Sequence, residues 1–445
     1  MWTVTQDSFT PSSQLHHETI FTLGNGYLCT RGALEEGDPG DRRATFIHGL
    51  FDDAPVVVTE LVNAPDWLPL TVHLDGERFG LAAGTVAACQ RSLDLRTGLL
   101  TRTVRWRSPA GRTATLVFER FASLADEHLL YLRCTVIPEF AGTLEFRAGL
   151  DGRMDNDGLL HWRGVAQGRR AASAFLHSRT RRSGREVVYA MRFQPAAGSA
   201  AGGQFWDVPD APTLVLSVPA EPGRPVTVEK VVSVFTSRDA PPAELVDRAV
   251  AHGLAAPAWP AAVQANAAAW AQEWARSDVV IEGDDEAQLA VRFNLFQLLI
   301  AAPRHDDRVN IGAKTLSGFG YRGHAFWDTE IFMLPLFTYT APAIARNLLD
   351  YRYHTLPAAR AKAQAAGYAG AWFAWESADT GEEVTPTWVP DFNDKKKLAR
   401  VWTGDLAIHI SADVAYAAHQ YWRATGDDAW LAARGAELIL DTAKF

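Results

Sequence analysis

Three runs decide the first part of the fold: Thr101-Arg102-Thr103-Val104-Arg105-Trp106-Arg107, Thr113-Ala114-Thr115-Leu116-Val117-Phe118-Glu119-Arg120 and Leu129-Leu130-Tyr131-Leu132-Arg133-Cys134-Thr135-Val136. Apolar and polar residues alternate in each. A period of two sends one face of a strand into a core and the other into water. Turn or hairpin signals stand around these runs at Asp75-Gly76, Thr97-Gly98, Ala110-Gly111 and Asp151-Gly152. Later strand patterns occupy residues 186–193, 213–218 and 226–235. Many strands with short connections and few helices predict an N-terminal antiparallel β-sandwich over residues 1–240.

Beyond residue 240 the period changes. Pro241-Pro242 opens a helical stretch at 243–253, and a second one at 258–276 carries Trp259, Val263, Ala267, Trp270 and Trp274 on one side. Residues 241–283 therefore read as a helical linker. Asp284-Asp285-Glu286 is an acidic N-cap region for an apolar helix that ends before Pro303. Asp328 is expected to cap residues 329–338, and Pro342 to stand in the first turn of a helix closed by Gly367. One arm of a helical hairpin runs over 404–425, where Gly426 stops it and Asp427-Asp428 begin the next. Paired helices with large inserts suit an (α/α) toroid. The last pattern, Leu438, Ile439, Leu440 and Ala443, has no stop signal, so 284–445 reads as the first part of such a toroid in a fragment of a longer chain.

Composition narrows the function classes. The 445 residues are 47% hydrophobic and 21% charged, with a formal net charge of -9, an ordinary globular mixture of two or three domains. A mild negative charge argues against nucleic-acid or anionic-membrane partners, which call for clustered Lys and Arg. The basic clusters, Arg169-Arg170, residues 179–182 and residues 395–397, read as solvated surface. Cys29, Cys89 and Cys134 are odd in number and widely spaced, which fits a reducing compartment and gives neither a disulfide framework nor a metal motif. The first residues lack a signal-peptide pattern, and no apolar run approaches the roughly 18 residues of a membrane span. A cytoplasmic location is the default expectation.

Residues 318–402 carry the chemistry. Phe319, Tyr321, Phe326, Trp327, Trp372, Phe373, Trp375, Trp388 and Trp402 are interleaved there with Asp328, Glu330, Glu376, Asp379, Glu382, Glu383 and Asp391. Sugar rings have apolar faces that stack on aromatics and hydroxyl edges that need carboxylate partners, so this mixture suits a glycan site. A lid rich in core aromatics would show the same composition. Gly318-Phe319-Gly320-Tyr321-Arg322-Gly323 fits the dinucleotide-binding pattern by letter, but no βαβ alternation surrounds it. His305-Asp306-Asp307, and His409 with Asp413, lack the further ligands a metal needs.

The run Gly320-Tyr321-Arg322-Gly323-His324-Ala325-Phe326-Trp327-Asp328-Thr329-Glu330-Ile331-Phe332-Met333-Leu334-Pro335 resembles glycoside hydrolase family 65. So do Phe373-Ala374-Trp375-Glu376-Ser377-Ala378-Asp379-Thr380-Gly381-Glu382-Glu383, His409-Ile410-Ser411-Ala412-Asp413-Val414-Ala415-Tyr416 and the N-terminal Glu18-Thr19-Ile20-Phe21-Thr22-Leu23-Gly24-Asn25-Gly26-Tyr27-Leu28. The matches run in order along essentially the whole chain. The resemblance implies a β-sandwich, a helical linker, an (α/α)6 barrel and a small C-terminal sheet domain. It also implies a phosphorylase of kojibiose, maltose, trehalose or a similar α-glucoside, with inorganic phosphate as co-substrate, no cofactor and no metal. A homodimer is common in the family.

Carried over by position, Trp327, Asp328, Trp375 and Glu376 are implied to grip the glucose whose bond is broken. Each tryptophan offers a stacking face, and each carboxylate can hold two adjacent hydroxyls. For Tyr321, Arg322 and His324 both contact and support stay open, as do an acceptor-side role and a solvated loop for Glu382 and Glu383. Glu330, two residues past Asp328, points elsewhere on a helix and reads as a structural acid. The resemblance places the catalytic Glu in a Gly-Pro-Asp-Glu-Tyr-His-Glu-like segment, and residues 1–445 contain none, so this chain has no catalytic residue of its own and is expected to be inactive alone. Two other readings stay open: an α-glucoside hydrolase of the same family, and a noncatalytic sugar-binding protein.

Overall fold

A computed structural model describes residues 1–54, 59–196, 203–391, 393–394 and 396–445; Lys395 of the basic run lies outside the described residues. The chain divides into two compact units, residues 1–46 with 63–300, and residues 47–62 with 301–445. It passes into the second unit within the strand Thr45–Asp52 and returns within Glu60–Asn63.

The first unit is a multi-sheet antiparallel β domain with helices. Nine strands form one sheet in the order Thr3–Gln6, Thr85–Asp94, Leu99–Arg107, Thr113–Ala122, Leu129–Pro138, Val226–Thr236, Glu186–Pro195, Ser173–Thr180 and Trp162–Arg170. A five-stranded sheet runs Gln204–Trp206, Thr213–Ala220, Gly142–Gly149, Leu70–Leu74 and Glu77–Arg78. The alternation read at residues 101–136 sets the register: Phe118 stands opposite Arg102 on one side and Cys134 on the other. Leu100, Val104, Trp106, Leu116 and Phe118 are buried by it.

The same period carries Arg102 and Arg120 inward. Arg102 donates to Glu35 Oε2 at 2.7 Å and Glu36 Oε1 at 2.8 Å, while Arg120 reaches Glu35 and the Ala33 carbonyl oxygen. Buried charge is tolerated here because it is paired and hydrogen-bonded.

Helix Leu245–Ala255 lays Leu245, Ala249 and Val250 on Val188, Ala190 and Phe235 of the large sheet. In helix Trp259–Ser277 the buried stripe is Trp259, Ala262, Asn266, Trp270, Trp274 and Ser277, at spacings of three and four. Trp259 packs on Phe121 and Tyr131, and Trp270 stacks on Phe296 at 4.9 Å. The Asp284 side chain accepts from the Ala287 amide at 2.9 Å, capping helix Asp285–Ala301 as its acidic start predicts.

Lys230 joins the two sheets. It is fully buried and its Nζ donates to the carbonyl oxygens of Pro69 at 3.0 Å and Gly149 at 2.7 Å. Burial draws the ammonium down to about 7 from an ordinary 10.5. An unfolded chain keeps this proton up to about pH 10.5, so the Lys230 contribution is full above that value and is lost as the pH falls through 7. Lys230→Met is therefore expected to flatten the rise in stability between pH 7 and pH 10, read as urea midpoints across that range. A variant profile parallel to the parent's contradicts the assignment.

The second unit is helical with long loops. Leu334–Thr340, Pro342–Ala365, His409–Thr425 and Ala436–Lys444 are its principal helices. Leu334, Phe337, Ile344, Leu348, Leu349, Ile410, Val414, Ala418 and Leu438 are buried among them. Gly426 takes a left-handed φ of 67° where the pattern calls for a stop, and the Asp427 side chain accepts from the Trp430 amide at 3.0 Å. No helix among the described residues is long and apolar enough to cross a membrane.

Candidate active site

The glycine-rich run forms a left-handed turn. Tyr321, Arg322 and Gly323 have φ values of 52°, 54° and 72°. A Cβ on Gly323 would stand 2.5 Å from Leu61 Cβ, so only glycine fits that position. This turn delivers His324 into the interior with no exposed surface. Its Nε2 lies 2.6 Å from the Thr59 carbonyl oxygen and its Nδ1 2.8 Å from Glu376 Oε2. A carbonyl oxygen only accepts, so Nε2 carries a proton and the other nitrogen meets the carboxyl group.

An antiparallel bridge brings two distant segments together. Ala325 and Ser377 exchange backbone hydrogen bonds of 2.9 Å and 3.0 Å. Phe326 consequently meets Trp375 edge to face, with ring centroids 5.9 Å apart. Arg352, from helix Pro342–Ala365, reaches both segments: it donates to Glu330 Oε1 at 2.7 Å, Glu330 Oε2 at 2.8 Å and the Phe326 carbonyl oxygen at 3.0 Å on one, and to Ser377 Oγ at 3.4 Å on the other. Desolvation opposes the Arg352 charge, but the Glu330 carboxylate more than offsets it and holds the guanidinium above its ordinary pKa. Tyr351 donates to the Ala378 carbonyl oxygen at 2.6 Å, and burial pushes its hydroxyl up to about 12.

Glu383 fixes the other carboxylate-bearing segment. The amides of Trp375 and Glu376 donate to its two oxygens at 2.9 Å and 3.3 Å, the Thr385 hydroxyl donates at 2.5 Å, and Lys362 completes an ion pair. Glu382, one residue earlier, is exposed and, among the described residues, accepts only from Thr380 nearby. Of the two glutamates left open by sequence, Glu383 thus holds the backbone under Trp375-Glu376, and Glu382 lies in a solvated loop.

The two indoles share one neighbour. The His409 ring meets Trp327 at 5.0 Å with an interplanar angle of 89° and Trp375 at 5.8 Å with 79°. Both tryptophans are half-buried, so each keeps surface for a ligand. Glu376 is buried against His324. The expected N-cap at Asp328 is corrected: Asp328 already has helical φ and ψ, the first turn Thr329–Met333 is π-wound, and the Asp328 side chain makes no cap bond. Its half-buried carboxylate has no hydrogen bond or ion pair to any described residue, and it directly follows Trp327 in the chain. Glu330 is buried in the Arg352 pair, and Tyr321 is exposed with its ring 5.2 Å from Phe326.

Sequence reasoning missed Arg352, Glu383 and the His324–Glu376 pair as organisers of the site. The contacts span 22 residues for Arg352 with Glu330 and 52 for His324 with Glu376, and no periodicity announces such pairings. Among the described residues no group of three His, Cys, Asp or Glu side chains suits a metal ion. The arrangement can stack a ring against indoles and receive its hydroxyls on carboxylates.

Two family models match this chain. Glycosyl hydrolase family 65, N-terminal domain, covers residues 4–273, and Glycosyl hydrolase family 65 central catalytic domain covers residues 292–445. A kojibiose phosphorylase of Halothermothrix orenii is 38% identical over 100% of this chain and 59% of its own length. A 1,2-alpha-glucosylglycerol phosphorylase of Bacillus selenitireducens is 32% identical over 100% of this chain and 58% of its own. A solved structure described as a candidate kojibiose phosphorylase from human microbiome superimposes with a TM-score of 0.90 at 23% identity, covering 100% of this chain and 59% of that one. That likeness establishes a shared fold. The chain spans about three-fifths of the length of the curated relatives it matches.

Proposed function

This chain belongs to glycosyl hydrolase family 65, and from that premise we propose that the whole protein is an inverting disaccharide phosphorylase. It cleaves an α-glucoside such as kojibiose with inorganic phosphate, giving β-glucose 1-phosphate and glucose. Residues 284–445 contribute the first part of an (α/α)6 barrel, and Trp327, Asp328, Trp375 and Glu376 hold the glucosyl unit at its mouth. The observation that carries this reading is the Ala325–Ser377 bridge, beside which both indoles lie against the His409 ring. The names of the relatives, phosphorylases of kojibiose and glucosylglycerol, support an α-glucosyl donor.

In the inverting reaction a carboxylic acid protonates the leaving glycosidic oxygen while a phosphate oxygen attacks C1 from the opposite face. The family resemblance assigns that acid to a segment other than residues 1–445. Their part is to orient the ring. Asp328 and Glu376 take hydroxyl hydrogen bonds that strengthen as positive charge develops on the ring, and the indoles exclude water from its faces.

The test is to incubate the whole protein with kojibiose, maltose or trehalose, with and without phosphate. Phosphate-dependent formation of β-glucose 1-phosphate is expected. Release of glucose alone without phosphate identifies a hydrolase, and binding without turnover identifies a sugar-binding protein. Either outcome contradicts the proposal.

A further inference from the structure

His409 is not explained by packing alone. Its ring touches both site indoles, yet its side chain is 48% exposed, so it is no core histidine. Asp413, one helical turn later, holds Nδ1 at 2.7 Å from its Oδ2. A carboxylate accepts, so Nδ1 carries the proton and the ring cannot flip without losing that bond. Nε2 makes no hydrogen bond to any described residue.

The start of helix His409–Thr425 is itself fixed. The Ser411 hydroxyl donates to the Ala371 carbonyl oxygen at 3.0 Å, Phe373 donates its amide to Ser411 Oγ at 3.1 Å, and the Trp372 indole N–H donates to the Ala407 carbonyl oxygen at 2.9 Å. These bonds lock the helix start to the segment that leads into Trp375. An imidazole with an assigned tautomer, a pinned backbone and an unused nitrogen, on a ring that contacts both indoles, is a prepared polar contact.

We propose that His409, aligned by Asp413, is a fifth ligand-contacting residue of this site: its ring sets the spacing of the Trp327 and Trp375 indoles and its Nε2 hydrogen-bonds a hydroxyl of the bound sugar. The inference rests on the glucosyl reading of the site. His409 thereby joins the two carboxylates in choosing which hydroxyl pattern fits, so it discriminates between epimeric hexoses.

The test is D-glucose binding to the whole protein, followed by calorimetry and tryptophan fluorescence, for the parent, His409→Phe and His409→Gln. Phenylalanine keeps a ring in contact with the indoles and removes the nitrogen; glutamine restores an amide group near the Nε2 position. The dissociation constant is expected to rise roughly tenfold in His409→Phe, the scale of one hydrogen bond, and to recover in part in His409→Gln. Thermal unfolding of each variant reports whether its fold is intact. Parent-like glucose affinity in a folded His409→Phe, or weaker binding by His409→Gln than by His409→Phe, overturns the inference and leaves the glucosyl reading standing. A parent protein that binds no glucose overturns that reading, and this inference with it.

Discussion

Asp328→Ala is expected to lower kcat/KM for phosphorolysis at least ~100-fold while leaving stability within about 0.5 kcal/mol of the parent. Both halves follow from the geometry. The carboxylate has no hydrogen bond or ion pair to any described residue and does not cap Thr329–Met333, so the fold does not depend on it. It is half-buried and directly follows Trp327 in the chain, so its oxygens are free to take a ligand hydroxyl. Were it an N-cap, alanine would instead cost about 0.5–2 kcal/mol of stability and leave the kinetics alone. Steady-state kinetics on the whole protein with urea denaturation of the same variant separate the two. Glu376→Ala gives a less clean result, because it also strips His324 Nδ1 of its buried partner.

Arg352→Met carries the largest expected loss of stability, about 3–5 kcal/mol. The side chains of Arg352 and Glu330 are 1% and 0% exposed, so removing the guanidinium strands a carboxylate in the interior. It also removes the donor to the Phe326 carbonyl oxygen, one residue before Trp327. The double variant Glu330→Leu with Arg352→Met is expected to recover much of the loss, since no charge is then left unpaired. Urea unfolding read by tryptophan fluorescence checks both. If Arg352→Met unfolds with the parent midpoint, the pair is not what secures the Phe326–Glu330 segment.

Much of the β domain was legible because its information is local. Period-two alternation at 101–136 predicts strands that the structure extends to Leu99–Arg107, Thr113–Ala122 and Leu129–Pro138. The stripe from Trp259 to Trp274 and the stops at Gly367 and Gly426 were readable for the same reason. Arg102 and Arg120 show where the pattern ends: alternation turns them inward, but only the fold reveals Glu35 and Glu36 waiting there.

The site was legible as chemistry and not as geometry. Interleaved aromatics and acids suggested a sugar, and the family resemblance singled out Trp327, Asp328, Trp375 and Glu376. Their mutual arrangement depends on Ala325 meeting Ser377, a backbone contact that carries no side-chain signature. The cap expected at Asp328 fails because capping requires an α-helical first turn with a non-helical cap residue, and neither condition holds here. In sequence His409 and Asp413 suggest only a metal pair, since spacing alone does not show that the imidazole meets two indoles.

A crystal structure of the whole protein soaked with kojibiose is the most direct measurement. One glucosyl ring is expected against the Trp327 and Trp375 indoles, with its hydroxyls within hydrogen-bond distance of the Asp328 and Glu376 carboxylates. A sugar bound elsewhere, with those four side chains facing only water, contradicts this expectation.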